Sequence, residues 1–194
     1  MKKIMISLLF FVSSGAIAQK FEIGGKAGIN VSNFTGTDNW QNAKTKSLVG
    51  FHVGGFISFF LGNNFAIQPE VLLSSQGAKY EQANNKENLK VTYINVPVML
   101  KYRSTAGMYI EAGPQIGFKA GQTSSSIDSL AKSTDFSFAG GIGFHSKTGL
   151  GIGVRYTAGI SKIGDFKPNN GIHPDFKNGV LQFSLFYTLF NSRK

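Results

Sequence analysis

The fold of this chain is decided by the stretch Leu181-Gln182-Phe183-Ser184-Leu185-Phe186-Tyr187-Thr188-Leu189-Phe190. Every odd position carries a large apolar side chain, and three of the even positions carry Gln, Ser and Thr. Successive side chains of a strand point to opposite faces, so the stretch predicts a strand with one apolar face and one mostly polar face. A lipid bilayer is the setting that best suits such a sheet.

The same alternation recurs in eight segments. We predict strands at Phe21–Phe34, Ser47–Phe60, Phe65–Lys79, Leu89–Arg103, Met108–Ala120, Asp135–Ser146, Leu150–Ile160 and Lys177–Phe190. In the seventh, Ile152 and Val154 alternate with Gly153 and Arg155. Each segment is long enough for the 9–11 residues with which a tilted strand crosses a bilayer. Sustained apolar spacing of three and four residues, which would indicate helices, is not found.

The first 18 residues have the three parts of a secretory signal in the right order. Lys2 and Lys3 form a charged start, Ile4–Val12 is a short apolar run, and Ala16–Ala18 is a small-residue cleavage site. We therefore predict a signal peptide at residues 1–18 and a barrel domain at residues 19–194 that begins with Gln19. The alternative is a buried N-terminal strand.

Composition excludes several classes of protein. The net charge is +10, or +8 once Lys2 and Lys3 are removed, and the remaining charges are scattered without a Lys/Arg block, which argues against nucleic acid and favours contact with anionic lipid head groups. The chain has no cysteine, so it has neither a disulfide framework nor thiolate chemistry. After the signal, no apolar stretch approaches the roughly 20 residues that a transmembrane helix needs. No cofactor is predicted.

The connections between the predicted strands alternate between short and long. Short turns lie at Gly62-Asn63-Asn64, Thr105-Ala106-Gly107 and Lys147-Thr148-Gly149. Long loops lie at Thr35–Lys46, Tyr80–Asn88, Gly121–Thr134 and Ser161–Phe176. Short turns on one rim and long loops on the other are typical of outer-membrane barrels.

Hairpin register follows from the requirement that polar faces oppose polar faces, because a slip of one residue inverts every side chain. The predicted pairs are Phe60 with Ala66, Lys101 with Glu111, and His145 with Gly151. Each pairing leaves a three-residue loop, whose last residue is commonly left-handed. Those last residues are Asn64, Gly107 and Gly149, of types that tolerate this conformation.

Three prolines, Pro69, Pro97 and Pro114, lie inside predicted strands. Proline donates no ladder hydrogen bond and is normally confined to edges or bulges. We therefore expect local bulges at these positions, where the phase of the strands is least fixed.

The sheet could close into a barrel with either its bulky face or its glycine-rich face turned inward. In a soluble, lipocalin-like barrel the bulky face would line a ligand cavity. An eight-stranded interior is only just wide enough for side chains, however, so the glycine-rich face fits it better. We predict an all-β, eight-stranded antiparallel up-and-down transmembrane barrel. Its first and last strands pair, because an unpaired backbone group in hydrocarbon costs several kcal/mol.

Four segments carry a resemblance to a known family. They are Gly24-Gly25-Lys26-Ala27-Gly28-Ile29-Asn30-Val31-Ser32, Gly50-Phe51-His52-Val53-Gly54-Gly55, Gln68-Pro69-Glu70-Val71-Leu72-Leu73-Ser74-Ser75-Gln76-Gly77 and Tyr93-Ile94-Asn95-Val96-Pro97-Val98-Met99-Leu100-Lys101-Tyr102. In this order they resemble the opening strands of the PorT-like, "porin family" outer-membrane β-barrel proteins. The resemblance implies fold and location, and it implies that the prolines belong to the pattern. It does not make the chain a pore.

The charged residues predicted to face inward are the first candidates for a site: Lys26, Glu70, Lys101, Glu111 and Arg155, with Lys119 and Glu22. They could pair and fill the lumen, or they could form a conduction path; the narrow bore favours the plug. Glu70 and Glu111 could also suggest glycosidase-like acid–base work. We expect Lys101 between them to keep both ionised, which argues against catalysis.

Other polar residues give thinner signals. His52 and His145 face inward at different heights, so they cannot share a metal. The long loops hold candidate recognition residues, namely Trp40, Asp165, Lys167 and His173. The alternatives are solvated loops without a partner and a Trp40 that only anchors at the lipid interface. No catalytic or metal-binding residue is predicted.

We therefore predict a monomeric, non-enzymatic protein of the outer membrane of a Gram-negative envelope. Its partners would be outer-membrane lipid, the barrel-assembly machinery, for which Phe190 resembles the aromatic signal, and an envelope or extracellular protein or glycan. A small-solute channel, a secreted carrier of an apolar ligand and an outer-membrane enzyme are the alternatives.

Overall fold

The computed structural model describes residues 20–35, 44–82, 85–122, 134–160 and 177–192. It has eight strands: β1 Phe21–Thr35, β2 Lys44–Leu61, β3 Phe65–Gln82, β4 Asn85–Arg103, β5 Met108–Gln122, β6 Thr134–His145, β7 Leu150–Gly159 and β8 Lys177–Asn191. Neighbours in sequence pair antiparallel, and β1 pairs with β8, so the sheet is a closed barrel. The predicted architecture is confirmed. Among the described residues, no helix is long and apolar enough to cross a membrane.

The two faces of the strands lie as the alternation predicts. Outward side chains are apolar and exposed, such as Ile152 at 58% and Leu185 at 55%, whereas Arg155 and Gln182 are only 3% and 2% exposed inside the barrel. The lipocalin-like alternative, in which the bulky face lines a cavity, is therefore wrong. The predicted signal peptide at residues 1–18 lies outside the described residues.

The short hairpins have the predicted register. Phe60 opposes Ala66, Lys101 opposes Glu111 and His145 opposes Gly151. Gly107 and Gly149 have φ angles of +94° and +96°, the left-handed conformation expected at the last loop position.

In the β2–β3 turn, the glycine with positive φ is the first loop residue, Gly62, at +82°. Asn64, at the last position, fixes the turn to the neighbouring strand. Its Nδ2 donates to the carbonyl of Arg103 at 2.8 Å, and its own carbonyl accepts from the Arg103 backbone N–H. The hairpin thus has the predicted three-residue length.

The expectation of bulges at the prolines is wrong. Pairing skips from Pro69 to Leu72 in β3–β4 and from Pro97 to Leu100 in β4–β5, but the register is the same on both sides of each gap. Pro114 pairs with Phe138 in an unshifted ladder. A proline removes only its own donor, so each strand loses pairing locally without gaining an extra residue.

Register shifts occur elsewhere, and the one in β1–β8 changes the end of the chain. Ile23 pairs with Phe190, whereas Gly24 pairs with Thr188, which leaves Leu189 as an extra residue. Leu189 and Phe190 are consequently both exposed, at 74% and 52%, although strict alternation would turn Phe190 inward. A bulge thus sets the last aromatic residue on the outer face.

The prediction of a long loop at Tyr80–Asn88 is also wrong. β3 continues to Gln82 and β4 begins at Asn85, and these two residues are paired. β2 joins them at its start, where Lys44 opposes Glu81. We call residues 44–47, 78–82 and 85–90 the β2–β4 ribbon. The connections at residues 36–43, 123–133 and 161–176 lie outside the described residues.

Candidate functional site

Five strands bring charged side chains together inside the barrel at mid-height. They are Lys26 on β1, Glu70 on β3, Lys101 on β4, Glu111 on β5 and Arg155 on β7, all buried. All five stand on the glycine-rich inner face, so the small diameter of an eight-stranded barrel forces them into contact. We call these five residues the lumen network.

Arg155 is the centre of the lumen network. Its Nη1 and Nη2 donate to the two oxygens of Glu70 at 2.9 and 2.8 Å. Its Nε and Nη2 also donate to Glu111 Oε1 at 2.8 and 2.6 Å. One guanidinium from β7 therefore joins carboxylates from β3 and β5 across the lumen, with the fork geometry that makes arginine–carboxylate pairs strong.

The two lysines complete the network from either side. Lys26 Nζ donates to Glu70 Oε1 at 2.7 Å. Lys101 Nζ lies 3.6 Å from Glu111 Oε2, donates to Gln68 Oε1 at 3.1 Å and sits 3.9 Å above the Tyr109 ring. The cation between the two carboxylates is thus Arg155 and not Lys101 as expected, because the register of adjacent strands does not report contacts across the lumen.

Aromatic side chains form a layer on the short-turn side of the lumen network. Phe56, Tyr109 and Phe186 are buried inside the barrel, with Phe186 ring centroids 5.9 Å from Phe56 and 6.0 Å from Tyr109. This aromatic layer was not predicted from the sequence. The inner-face glycines could have indicated it, because the Tyr109 hydroxyl occupies the space that side chains at Gly143 and Gly153 would need.

A second ionic cluster closes the lumen at the short-turn rim. Arg103 Nη2 and Nη1 donate to the two oxygens of Glu22 at 2.8 and 3.2 Å. Arg103 also contacts His145 Nδ1, and His145 Nε2 lies 3.1 Å from Thr188 Oγ1. Strands β1, β4, β6 and β8 are thereby tied together. Arg103, the last residue of β4, was not predicted from the sequence as a site residue.

A third cluster lies on the loop side of the lumen network. His52 Nδ1 lies 2.8 Å from Asn30 Oδ1, and His52 Nε2 lies 2.9 Å from Ser184 Oγ. The order serine, histidine, amide has the outline of a nucleophile, a base and a group that orients the base. His52 and Asn30 are 1% and 0% exposed, however, so a substrate has no space beside them. The cluster is closed to solvent in this structure.

The described residues contain no group of three or more His, Cys, Asp or Glu that could hold a metal ion. His52 and His145 have separate partners, as their different heights require. The candidate recognition residues Trp40, Asp165, Lys167 and His173 lie outside the described residues.

No curated protein matches this chain. Its fold is similar to that of Ail, the attachment invasion locus protein of Yersinia pestis, solved with the heparin analogue sucrose octasulfate (TM-score 0.51, 16% identity, 88% of this chain and 99% of that chain). It is also similar to OprG from Pseudomonas aeruginosa (TM-score 0.52, 11% identity, 89% and 96%). Neisserial surface protein A gives a TM-score of 0.51 at 13% identity, covering 86% and 97%.

These identities are low, so the three structures support the fold alone. The family evidence comes from the sequence. Residues 17–165 match the model of the outer membrane protein beta-barrel domain, which is most of the chain. This chain therefore belongs to the family of outer membrane protein beta-barrel domains.

Proposed function

We propose that this outer-membrane barrel is a non-enzymatic structural or interaction module whose lumen is filled by side chains. The observation that carries the proposal is the bridge that Arg155 makes between Glu70 and Glu111, with both lysines packed around it. A buried network of this kind resists opening, because separating a buried ion from its partner costs several kcal/mol. Because the lumen is filled, we assign partner recognition to the rim of the barrel that carries the long loops.

We also propose a closer family relationship and an export route for this barrel. We infer a PorT-like barrel, exported by the signal peptide at residues 1–18 and inserted into a Gram-negative outer membrane by the barrel-assembly machinery. The four motifs quoted above support the PorT-like assignment, and the outward Phe190 supports the assembly signal. In its closed part the barrel has every strand paired on both sides, which leaves no edge there through which to recruit another copy and supports a monomer.

A glycan is the partner that we favour. The chain carries a net charge of +10, of which Lys2 and Lys3 in the proposed signal peptide supply two, so the exported barrel keeps +8, and a positive surface attracts polyanions. Ail, which shares the fold, was solved in complex with a heparin analogue. Together these observations support an acidic glycan more than a neutral one.

Planar-bilayer recordings test the filled lumen. The native barrel is expected to insert without steady ion-sized conductance steps. A variant with Glu70→Ser, Glu111→Ser and Arg155→Ser removes the bridge and is expected to conduct in those molecules that fold. Heat-modifiable gel migration of both proteins measures the folded fraction.

Steady conductance by the native barrel would favour the channel instead and would overturn the proposal. Hydrolysis of lipid esters by the native protein, lost in Ser184→Ala with folding intact, would overturn its non-enzymatic part. Ser184 is the residue to change, because its Oγ hydrogen bonds to the His52 ring.

A further inference from the structure

The outer face of the barrel has a groove of about 350 Å³ along the seam where β1 pairs with β8. Small-molecule sites in proteins have volumes of about 300–1,000 Å³, so the groove is large enough for part of a ligand. Its lining includes outward residues of β8, β1 and β2, namely Leu185, Tyr187, Leu189, Gly25, Ala27 and Val53. We call this recess in the apolar outer face the seam groove.

The register of the strands explains why the seam groove lies over β1. Ala27 stands between Val53 on β2 and Leu185 on β8. Gly25, the next outward residue of β1, opposes Tyr187 on β8. Because opposed residues share a face, bulky side chains stand beside two outward positions of β1 that have little or no side chain. The outer surface is therefore recessed along this strand.

The packing of the barrel itself does not require the glycine in this groove. On the inner face, a Cβ atom at Gly28 would overlap the carbonyl oxygen of Phe183. On the outer face, a Cβ atom at Gly25 would have the Gly54 carbonyl oxygen as its nearest neighbour, at 3.9 Å. A glycine weakens a strand and often marks the close approach of a ligand or another backbone. The space above Gly25 therefore suits a molecule outside the barrel.

Two exposed lysines flank the end of the seam groove at the short-turn rim. Lys147 lies in the β6–β7 turn, which is hydrogen-bonded to Thr188 of β8. Lys20 directly precedes β1, whose first residue is hydrogen-bonded to Ser192 beyond the end of β8. The two lysines thus lie on either side of the end of β8, where Leu189 lines the groove. Positive charge beside an apolar recess matches a molecule with an acidic head and an apolar chain.

We propose that the seam groove holds one acyl chain of an anionic phospholipid, whose phosphate lies near Lys20 and Lys147. From Leu189 to Leu185 the groove follows four residues of β8, which is roughly 13 Å at about 3.3 Å per residue. The hydrocarbon of one leaflet is about 15 Å deep, half of the bilayer core, so the lengths agree. Short turns of outer-membrane barrels are periplasmic, which places this lipid in the periplasmic leaflet.

A second copy of the barrel would fit the seam groove less well. Barrels in one membrane have the same orientation, so their short-turn rims meet at the same height. A symmetric contact through the groove would bring Lys20 and Lys147 of one barrel close to the same lysines of the other. Such like-charge contacts are unfavourable, whereas the phosphate of a lipid has the opposite charge at that height. The groove lies on the outer face, so this inference is independent of the filled lumen.

Photo-crosslinking in phosphatidylcholine vesicles tests the site. The probe is phosphatidylglycerol with a photoreactive diazirine in the middle of one acyl chain, and mass spectrometry maps the labelled residues. Labelling is expected to be several-fold higher at Leu185 and Tyr187 than at Ile110, an exposed outward residue of β5. A phosphatidylcholine probe with the same diazirine is expected to label the groove less.

Two pairs of variants separate the apolar and the charged part of the site. Gly25→Val fills the floor of the groove and is expected to lower its labelling several-fold. Gly140→Val is the matched control, because a Cβ atom there is equally free, at 3.9 Å from the Glu111 carbonyl oxygen. Lys147→Gln is expected to weaken labelling by phosphatidylglycerol about five-fold, and Lys177→Gln, at the opposite rim, to leave it unchanged.

The folded fraction of each variant is measured by heat-modifiable gel migration, and Lys147→Gln in an exposed turn provides a test that does not alter the sheet. Equal labelling of the groove and Ile110 would overturn the proposal. So would equal labelling of Gly25→Val and Gly140→Val, or of Lys147→Gln and Lys177→Gln. A cross-linked dimer that is lost in Gly25→Val, without lipid labelling in the groove, would assign the groove to a second copy and also overturn it.

Discussion

Gly54→Ala is expected to prevent most of the chain from reaching the folded barrel. Gly54 lies on the inner face of β2, where a Cβ atom would overlap the carbonyl oxygen of Val71 and lie 2.8 Å from Leu72 Cα. Both atoms belong to the backbone of β3, so relief requires the two strands to separate. The cost should exceed the roughly 1–3 kcal/mol of ordinary overpacking by side chains. Heat-modifiable gel migration after refolding into lipid vesicles measures the folded fraction.

Gly25→Ala is the matched control, since it makes the same substitution on the outer face of β1. A Cβ atom at Gly25 would have the Gly54 carbonyl oxygen as its nearest neighbour, at 3.9 Å. The added methyl group would face lipid, and we expect a change in stability within about 0.5 kcal/mol. Similar folded fractions for the two variants would contradict the close approach of β2 and β3.

Local sequence was sufficient to predict the barrel, because strand alternation and turn chemistry are short-range properties. Lys101 opposite Glu111 followed from matching polar faces across a three-residue turn that ends in Gly107. The hairpin could be derived without knowing anything beyond its own residues. The same reasoning gave His145 opposite Gly151.

Predictions failed where one local signal competed with longer-range pairing. Pro69 breaks a hydrogen bond but leaves the β3–β4 register unshifted, because the ladder on both sides of it holds the strands in place. The polar stretch between Tyr80 and Asn88 reads as a loop, yet most of it extends the hairpin. This stretch has no apolar alternation in its sequence, so it carries no periodic signal for a strand.

The contacts inside the lumen depend on the closure of the barrel. Glu70 and Arg155 stand on β3 and β7, with three strands between them in either direction around the wall. Their inward direction could be predicted from alternation, but their 2.8 Å contact depends on strand tilt and barrel width.

Glu70→Gln is expected to destabilise the folded barrel by about 3–5 kcal/mol, the usual cost of leaving a buried partner charge uncompensated. The carboxylate accepts from Lys26 and Gln68, each at 2.7 Å, and accepts two hydrogen bonds from Arg155. The glutamine amide is nearly isosteric but uncharged, so Glu111 would be the one carboxylate left in the lumen network to balance its three cations. Urea unfolding in lipid vesicles, with the folded fraction measured by heat-modifiable gel migration, gives the loss in free energy of unfolding.

The lumen network predicts that a second substitution will partly rescue the first. Glu70 is the carboxylate to which Lys26 donates, so Lys26→Met in the Glu70→Gln background removes the cation left without it. The double variant should be more stable than Glu70→Gln alone, with a coupling energy in the range of about 0.5–3 kcal/mol. Glu22→Gln with Arg103→Met offers a comparison at the short-turn rim, where Arg103 is partly exposed and coupling should be weaker. Strictly additive losses at Lys26 and Glu70 would show that these two charges do not act as a buried pair.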